Sequence, residues 1–161
     1  MKIATVVSTV AALLVAGAAQ AAGTVQVSFV KPENFADVRD RTYTSEQNLK
    51  ALERVITSVA QPYVADGQTL KIEVLDVDLA GEVRPGARTH DVRVLRGRAD
   101  WPRITLRWRV EGAAPRSGEA VVQDMAYLQR LPSTMADTAL VYERRMLDEW
   151  FRTQFAKVGA G

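Results

Sequence analysis

The sequence predicts one two-layer α+β domain, a mixed sheet of four or five strands with two helices packed mainly on one face. Three observations carry this reading. Period-two alternation at 24–30 and an apolar run at 69–79 flank a segment whose apolar residues recur every three or four positions, the pattern of strand, helix, strand. A second alternating segment at 103–110 is followed by a Gly/Pro-containing loop and a further strand-like stretch, which reads as a hairpin. A last helical pattern closes the chain.

In the first strand Val25, Val27 and Phe29 share a face, with Gln26 and Ser28 on the other. Lys31-Pro32 ends it, because proline lacks the ladder donor and restricts the residue before it. Phe35, in the loop that follows, is expected to tuck beneath the sheet. Thr44 or Ser45 can cap the first helix, and Glu46 in its first turn suits the positive end of the helix dipole. Leu49, Leu52, Val55 or Ile56, and Val59 form one apolar stripe, and Pro62 stops the helix near Ala60. Asp66-Gly67 then turns the chain into the second strand, 70–79. Strict alternation puts Ile72 and Val74 on one face and Leu75, Val77 and Leu79 on the other, which predicts a strand covered on both sides for part of its length. A helix between these strands implies a right-handed crossover, so the two run parallel.

The stretch 80–102 is too long for a bare loop, and alternating Val92 and Val94 mark a short edge strand at 91–95. In the strand at 103–110, Ile104, Leu106, Trp108 and Val110 face the core while Arg103, Thr105, Arg107 and Arg109 face out. Residues 111–118 form the hairpin loop, and the returning strand spans 119 to about 127. Leu131-Pro132-Ser133 breaks the pattern, with Ser133, Thr134 or Asp137 available as a cap. The last helix runs to about 157, burying Leu140, Leu147, Trp150 or Phe151, Gln154 or Phe155, and Val158.

Residues 1–21 read as a secretory signal: Lys2, an apolar run, then Ala19-Gln20-Ala21 as the small-x-small cleavage site. Cleavage after Ala21 would leave one periplasmic domain, 22–161, with no stable membrane insertion. No cysteine follows, so neither a lipid thioether, a disulfide framework nor a thiolate site is available. Loss of Lys2 lowers the net charge from +2 to +1, a balance that singles out neither nucleic acid nor an anionic membrane. The charge is uneven, however: residues 84–116 hold nine arginines against Asp91, Asp100 and Glu111. Such asymmetry marks either an anion-binding face or a solvated surface.

Chemistry-bearing constellations are few. Asp76, Asp78 and Glu82 form one acidic cluster at the end of the second strand, where two carboxylates share a face and a third follows on the turn. Such a set could hold calcium or magnesium, or act as an acid–base pair. The spacing fails as an EF-hand loop, with Ala80 where a third oxygen ligand belongs, and the same carboxylates could instead pair with Arg93, Arg103 or Arg107. His90 is the single histidine, no Gly-x-Ser-x-Gly elbow exists, and no glycine-rich phosphate loop lies between a strand and a helix. The motifs of most familiar hydrolase, kinase and dehydrogenase classes are thereby missing, and no cofactor is expected. Trp108 and Trp150 sit at core positions. Trp101 lies outside the regular strand and, with outward Arg103, Arg107 and Arg109, defines a candidate binding surface for a carboxylate- or phosphate-bearing partner.

Several segments carry a family likeness. Pro32-Glu33-Asn34-Phe35-Ala36-Asp37, Asp76-Val77-Asp78-Leu79-Ala80-Gly81-Glu82, Asp100-Trp101-Pro102-Arg103-Ile104, and Tyr142-Glu143 with Met146-Leu147-Asp148-Glu149-Trp150-Phe151 resemble the signatures of domain of unknown function 3016, small exported proteins of Gram-negative bacteria. The resemblance spans nearly all of 22–161. It implies a periplasmic address and brings no activity with it. The expectation is a non-enzymatic binding or envelope-interaction module using Trp101, Arg103, Arg107 and Arg109, its partner an envelope component or protein. The alternative is a cation-assisted or acid–base enzyme using Asp76, Asp78 and Glu82.

Overall fold

The computed structural model describes residues 22–38, 45–84, 92–129 and 140–155. The signal-like residues 1–21, His90, the candidate caps Thr44, Ser133, Thr134 and Asp137, and Val158 lie outside them.

Strand β1 (Thr24–Phe29) leads through a 3-10 turn at Pro32–Asn34 to helix α1 (Ser45–Ala60). Pro62 ends that helix in a second 3-10 turn, Gln61–Tyr63. The chain then turns at Gly67, whose positive φ of 75° suits glycine, into β2 (Thr69–Asp78). A small ribbon of β3 (Glu82–Arg84) and β4 (Val92–Val94) follows, then β5 (Arg103–Glu111), β6 (Arg116–Gln123) and α2 (Val141–Phe155). The main sheet has the order β1-β2-β5-β6, with β1 and β2 parallel and the other neighbours antiparallel. This is the expected mixed sheet, at four strands, with both helices on one face.

Helix α1 forms because its apolar stripe has somewhere to go: Leu52, Val55, Ile56 and Val59 are buried, while Glu46 and Lys50 pair at 2.7 Å on the wet side. The sheet meets this layer with Leu70, Ile72, Val74, Ile104, Leu106 and Val110. Helix α2 is seated by aromatic contacts. Phe151 stacks on Tyr63 (6.0 Å between centroids), Phe155 meets Trp108 edge-on (5.0 Å), and Trp150 packs against Phe151 (4.8 Å). Trp108 fits because Gly118 stands opposite it; a Cβ there would lie 3.0 Å from the indole. The Arg116 guanidinium covers the Phe155 ring at 4.8 Å.

Strict alternation fails in β2. The register jumps between Val74 and Asp76, so Leu75 is an inserted residue, a β-bulge. Val77 and Leu79 therefore return to the core face already occupied by Ile72 and Val74, and are buried there. The expectation of opposite faces is corrected: the strand is covered on one side, and its other face is open. The short strand at 92–94 is present but pairs with β3 in a separate ribbon, away from the main sheet. The hairpin loop is shorter than expected, because β6 begins at Arg116. It ends at Gln123, where the Asp124 carboxylate accepts the Ala126 amide (3.0 Å) and turns the chain. In α2 the buried apolar positions are Met146, Leu147, Phe151 and Phe155, with Gln154 exposed.

No described helix is long and apolar enough to cross a membrane. Leu106 is fully buried between β2 and β6, at the centre of the sheet. Leu106→Ala is expected to cost about 2–5 kcal/mol, read as a lower urea midpoint at unchanged slope.

Candidate functional site: a locked polar pole and an open sheet face

The bulge at Leu75 decides where the acidic cluster points. Past it, Asp76 and Asp78 stand on the open face, opposite Thr105 and Arg103. Each then meets a different partner. Asp76 accepts the Ala36 amide at 3.0 Å, and Asp78 pairs with Arg103 at 3.3 Å. Glu82 is held by Arg84 (3.2 Å) and Arg96 (3.6 Å). Burial pushes the Asp78 carboxyl up, Arg103 pulls it down, and neighbouring Asp37 and Asp76 add to the upward push. Among the described residues, no group of three His, Cys, Asp or Glu side chains is arranged to hold a metal ion.

Behind this cluster lies a seam that the sequence does not reveal. Arg93 of β4 donates to Asp37 (3.1 Å) and to the carbonyls of Ala80 (2.9 Å) and Gly81 (3.2 Å). Asp37 is itself bound into the sheet, its amide donating to the Val77 carbonyl at 2.9 Å. Glu143, in the first turn of α2, is buried, and its carboxylate accepts the Ala80 amide at 2.8 Å. Gly81 donates to the Asp100 carbonyl (2.9 Å). It adopts φ 82°, where a Cβ would strike the Leu95 side chain and the Val94 carbonyl at under 3 Å. The Asp100 carboxylate takes the Arg96 (2.6 Å) and Arg98 (3.0 Å) amides. Although burial pushes Asp100 up, those amides and the Tyr127 hydroxyl hold it below the usual carboxylate range. Stretches around residues 37, 80, 100 and 143 thus converge on one pole of the sheet. They are the four that carry the family likeness.

The open face continues away from that pole. Arg107 is clamped between Glu119 (2.7 Å) and Glu73 (3.1 Å), and Lys71 pairs with Glu111 (2.9 Å). Arg109 has no carboxylate partner among the described residues, and it stands directly across from Lys71. Around it opens a shallow groove of about 360 Å³ that includes Ser117. The expected surface is therefore not one compact site. Half-buried Trp101 precedes β5 at the pole, Arg103 and Arg107 are in ion pairs, and Arg109 lies eight residues beyond Trp101, about 27 Å along an extended chain.

Residues missed at the sequence level are Glu143, Asp37 and Lys71. Glu143 falls on the same helical face as Leu147 and Phe151, four and eight positions later, and that spacing was the available signal.

Taken together, the fold and site define a two-layer α+β domain with one sheet face that no described helix covers and a polar pole knitted by side-chain-to-backbone bonds. A family model described as "Protein of unknown function (DUF3016)" matches residues 23–153, and the chain belongs to that family. No curated protein and no solved structure matches it.

Two outcomes test the pole. Arg93→Met strands the Asp37 carboxylate and two carbonyls, and should cost roughly 2–4 kcal/mol in urea unfolding. For Glu143, burial first pushes the carboxyl up, against the Ala80 amide and Arg93. With the folded value raised, its contribution is full below the ordinary glutamate range and is lost as pH rises through the raised value. Glu143→Gln, which keeps an acceptor for the Ala80 amide, should therefore gain stability relative to the parent as pH goes from about 4 to about 7.5. Paired urea melts at the two pH values read this directly.

Proposed function

We propose that the protein is an exported, periplasmic and non-enzymatic binding module. Its bare sheet face receives a carboxylate- or phosphate-bearing surface of a partner protein or another envelope component. The observation that carries this is the Lys71–Arg109 pair. Like charges directly opposite on a sheet oppose folding; Glu111 offsets Lys71 (2.9 Å), while Arg109 has no compensating carboxylate among the described residues. An incoming anion would relieve that repulsion and could bond bidentately to the guanidinium, with the Ser117 hydroxyl beside it. The face extends from Trp101 to Arg109 and mixes free and paired charges, dimensions and texture that suit a macromolecular surface better than a small solute. Export rests on the signal-like pattern of residues 1–21.

The alternative, a cation-assisted or acid–base centre at Asp76, Asp78 and Glu82, has less support. Each of the three carboxylates already serves a different amide or arginine.

A photocrosslinking residue at Gln26, next to Lys71 on the exposed face, tests the reading in intact cells. It should give discrete adducts that fall at least about tenfold in an Arg109→Glu background, while Arg109→Glu itself leaves stability within about 0.5 kcal/mol or raises it. Adducts obtained only from Glu53, on the solvent side of α1, would overturn the proposal.

A further inference from the structure

The outer edge of β6 has the features of a self-pairing strand. Asp124 donates its amide to the Pro102 carbonyl (3.3 Å), which fixes the phase of the β5–β6 ladder. The even-numbered residues of β6 are bonded to β5, and Ser117, Glu119, Val121 and Gln123 turn their backbone N–H and C=O groups outward. No described element pairs with that edge. Of the three exposed large hydrophobic residues among those described, two lie there as well: Val121 is 58% and Met125 60% exposed, the third being Val30 at 40%. Edges are ordinarily blunted by lysine, proline or a bulge. From Ser117 to Gln123 this one has none of them, and its single charge, Glu119, is tied back to Arg107.

We propose that two copies of this chain pair antiparallel through β6, about a two-fold axis at Val121, to form one continuous eight-stranded sheet. The register follows from the side chains. Centring on Glu119 would oppose two carboxylates, which disfavours that register. Centring on Val121 sets two valines against each other and Glu119 against the Gln123 amide, which can donate to it. On the helix side a groove of about 460 Å³ runs between β6 and α2, lined by Val122, Met146 and Trp150. The Asp124 carboxylate at its rim is already paired with Arg145 (2.9 Å), so the occupant is selected by the self-complementary edge, Val121 on Val121 and Glu119 on Gln123, and not by charge on this side. Both bare faces then lie side by side, doubling the surface offered to a partner. A strand pair of this length sits at the small end of specific interfaces, so the association is expected in the micromolar range.

The chain has no cysteine, so a single introduced one reports on the axis without ambiguity. Opposed residues of a bonded antiparallel pair have Cα atoms about 5.5 Å apart, within disulfide range. Val121→Cys should therefore oxidise to a covalent dimer. Ser117→Cys, about 27 Å from its mate in this register, should not. In sedimentation velocity the parent protein should pass from monomer to dimer over the micromolar range, and Val121→Lys should weaken that step at least tenfold, with an unchanged far-ultraviolet spectrum as the folding control. Three results would overturn the proposal: a parent monomeric to several hundred micromolar, equal crosslinking at positions 117 and 121, or a dimer indifferent to Val121→Lys. The result is independent of the Gln26 adducts, since Gln26 lies on β1 at the opposite edge of the sheet.

Discussion

The extra residue at Leu75 is the constraint on which the rest of the structure depends. Without the bulge, β2 could not keep both halves of its apolar sequence on the helix layer, because alternation would send Val77 and Leu79 to solvent. With it, Leu70, Ile72, Val74, Val77 and Leu79 form one buried row. The same half-turn of phase carries Asp76 and Asp78 to the open face, where Ala36 and Arg103 meet them. Core continuity and the placement of the acidic cluster are thus one geometric event.

Much of this was legible in the chain. The alternation of β1 and β5, the stripe of α1, the stop at Pro62 and the parallel crossover each follow from period and from proline chemistry, and each is present. The bulge also had a trace, since the apolar positions of 70–74 and 75–79 are out of phase, but a phase slip reads equally as a strand buried on both faces. The burial of Glu143 had a trace in its helical phase, but its partner was not legible, because that is an amide 63 residues away in sequence. The β3–β4 ribbon and the end of β6 at Asp124 depend on side-chain-to-backbone bonds that periodicity does not encode. Of the candidate surface, the alternation of Arg103, Arg107 and Arg109 was visible. Which of them stays free depends on residues of β2 and β6 that only register brings alongside.

The two ends of the open face therefore differ in kind. At the pole, charges are consumed: Arg93 binds the loop at Asp37 and the turn at Ala80–Gly81, Glu143 joins α2 to that turn, and Arg103 closes on Asp78. These bonds unite segments distant in sequence, the same stretches that carry the family likeness. At the other end Lys71 is offset by Glu111, and Arg109 stands across from it with no carboxylate partner among the described residues. Arginines engaged in ion pairs and the arginine without a carboxylate partner among the described residues are separated along one strand.

That separation makes the acidic cluster a structural lock. The most direct measurement is carboxyl-carbon NMR of Asp76, Asp78 and Glu82 while calcium or magnesium is raised into the millimolar range. Carboxylates engaged by an amide and by separate arginines should show small, unsaturable and unconcerted shifts. A saturable shift shared by all three, with one apparent affinity, would contradict the account and identify the pole as a cation site.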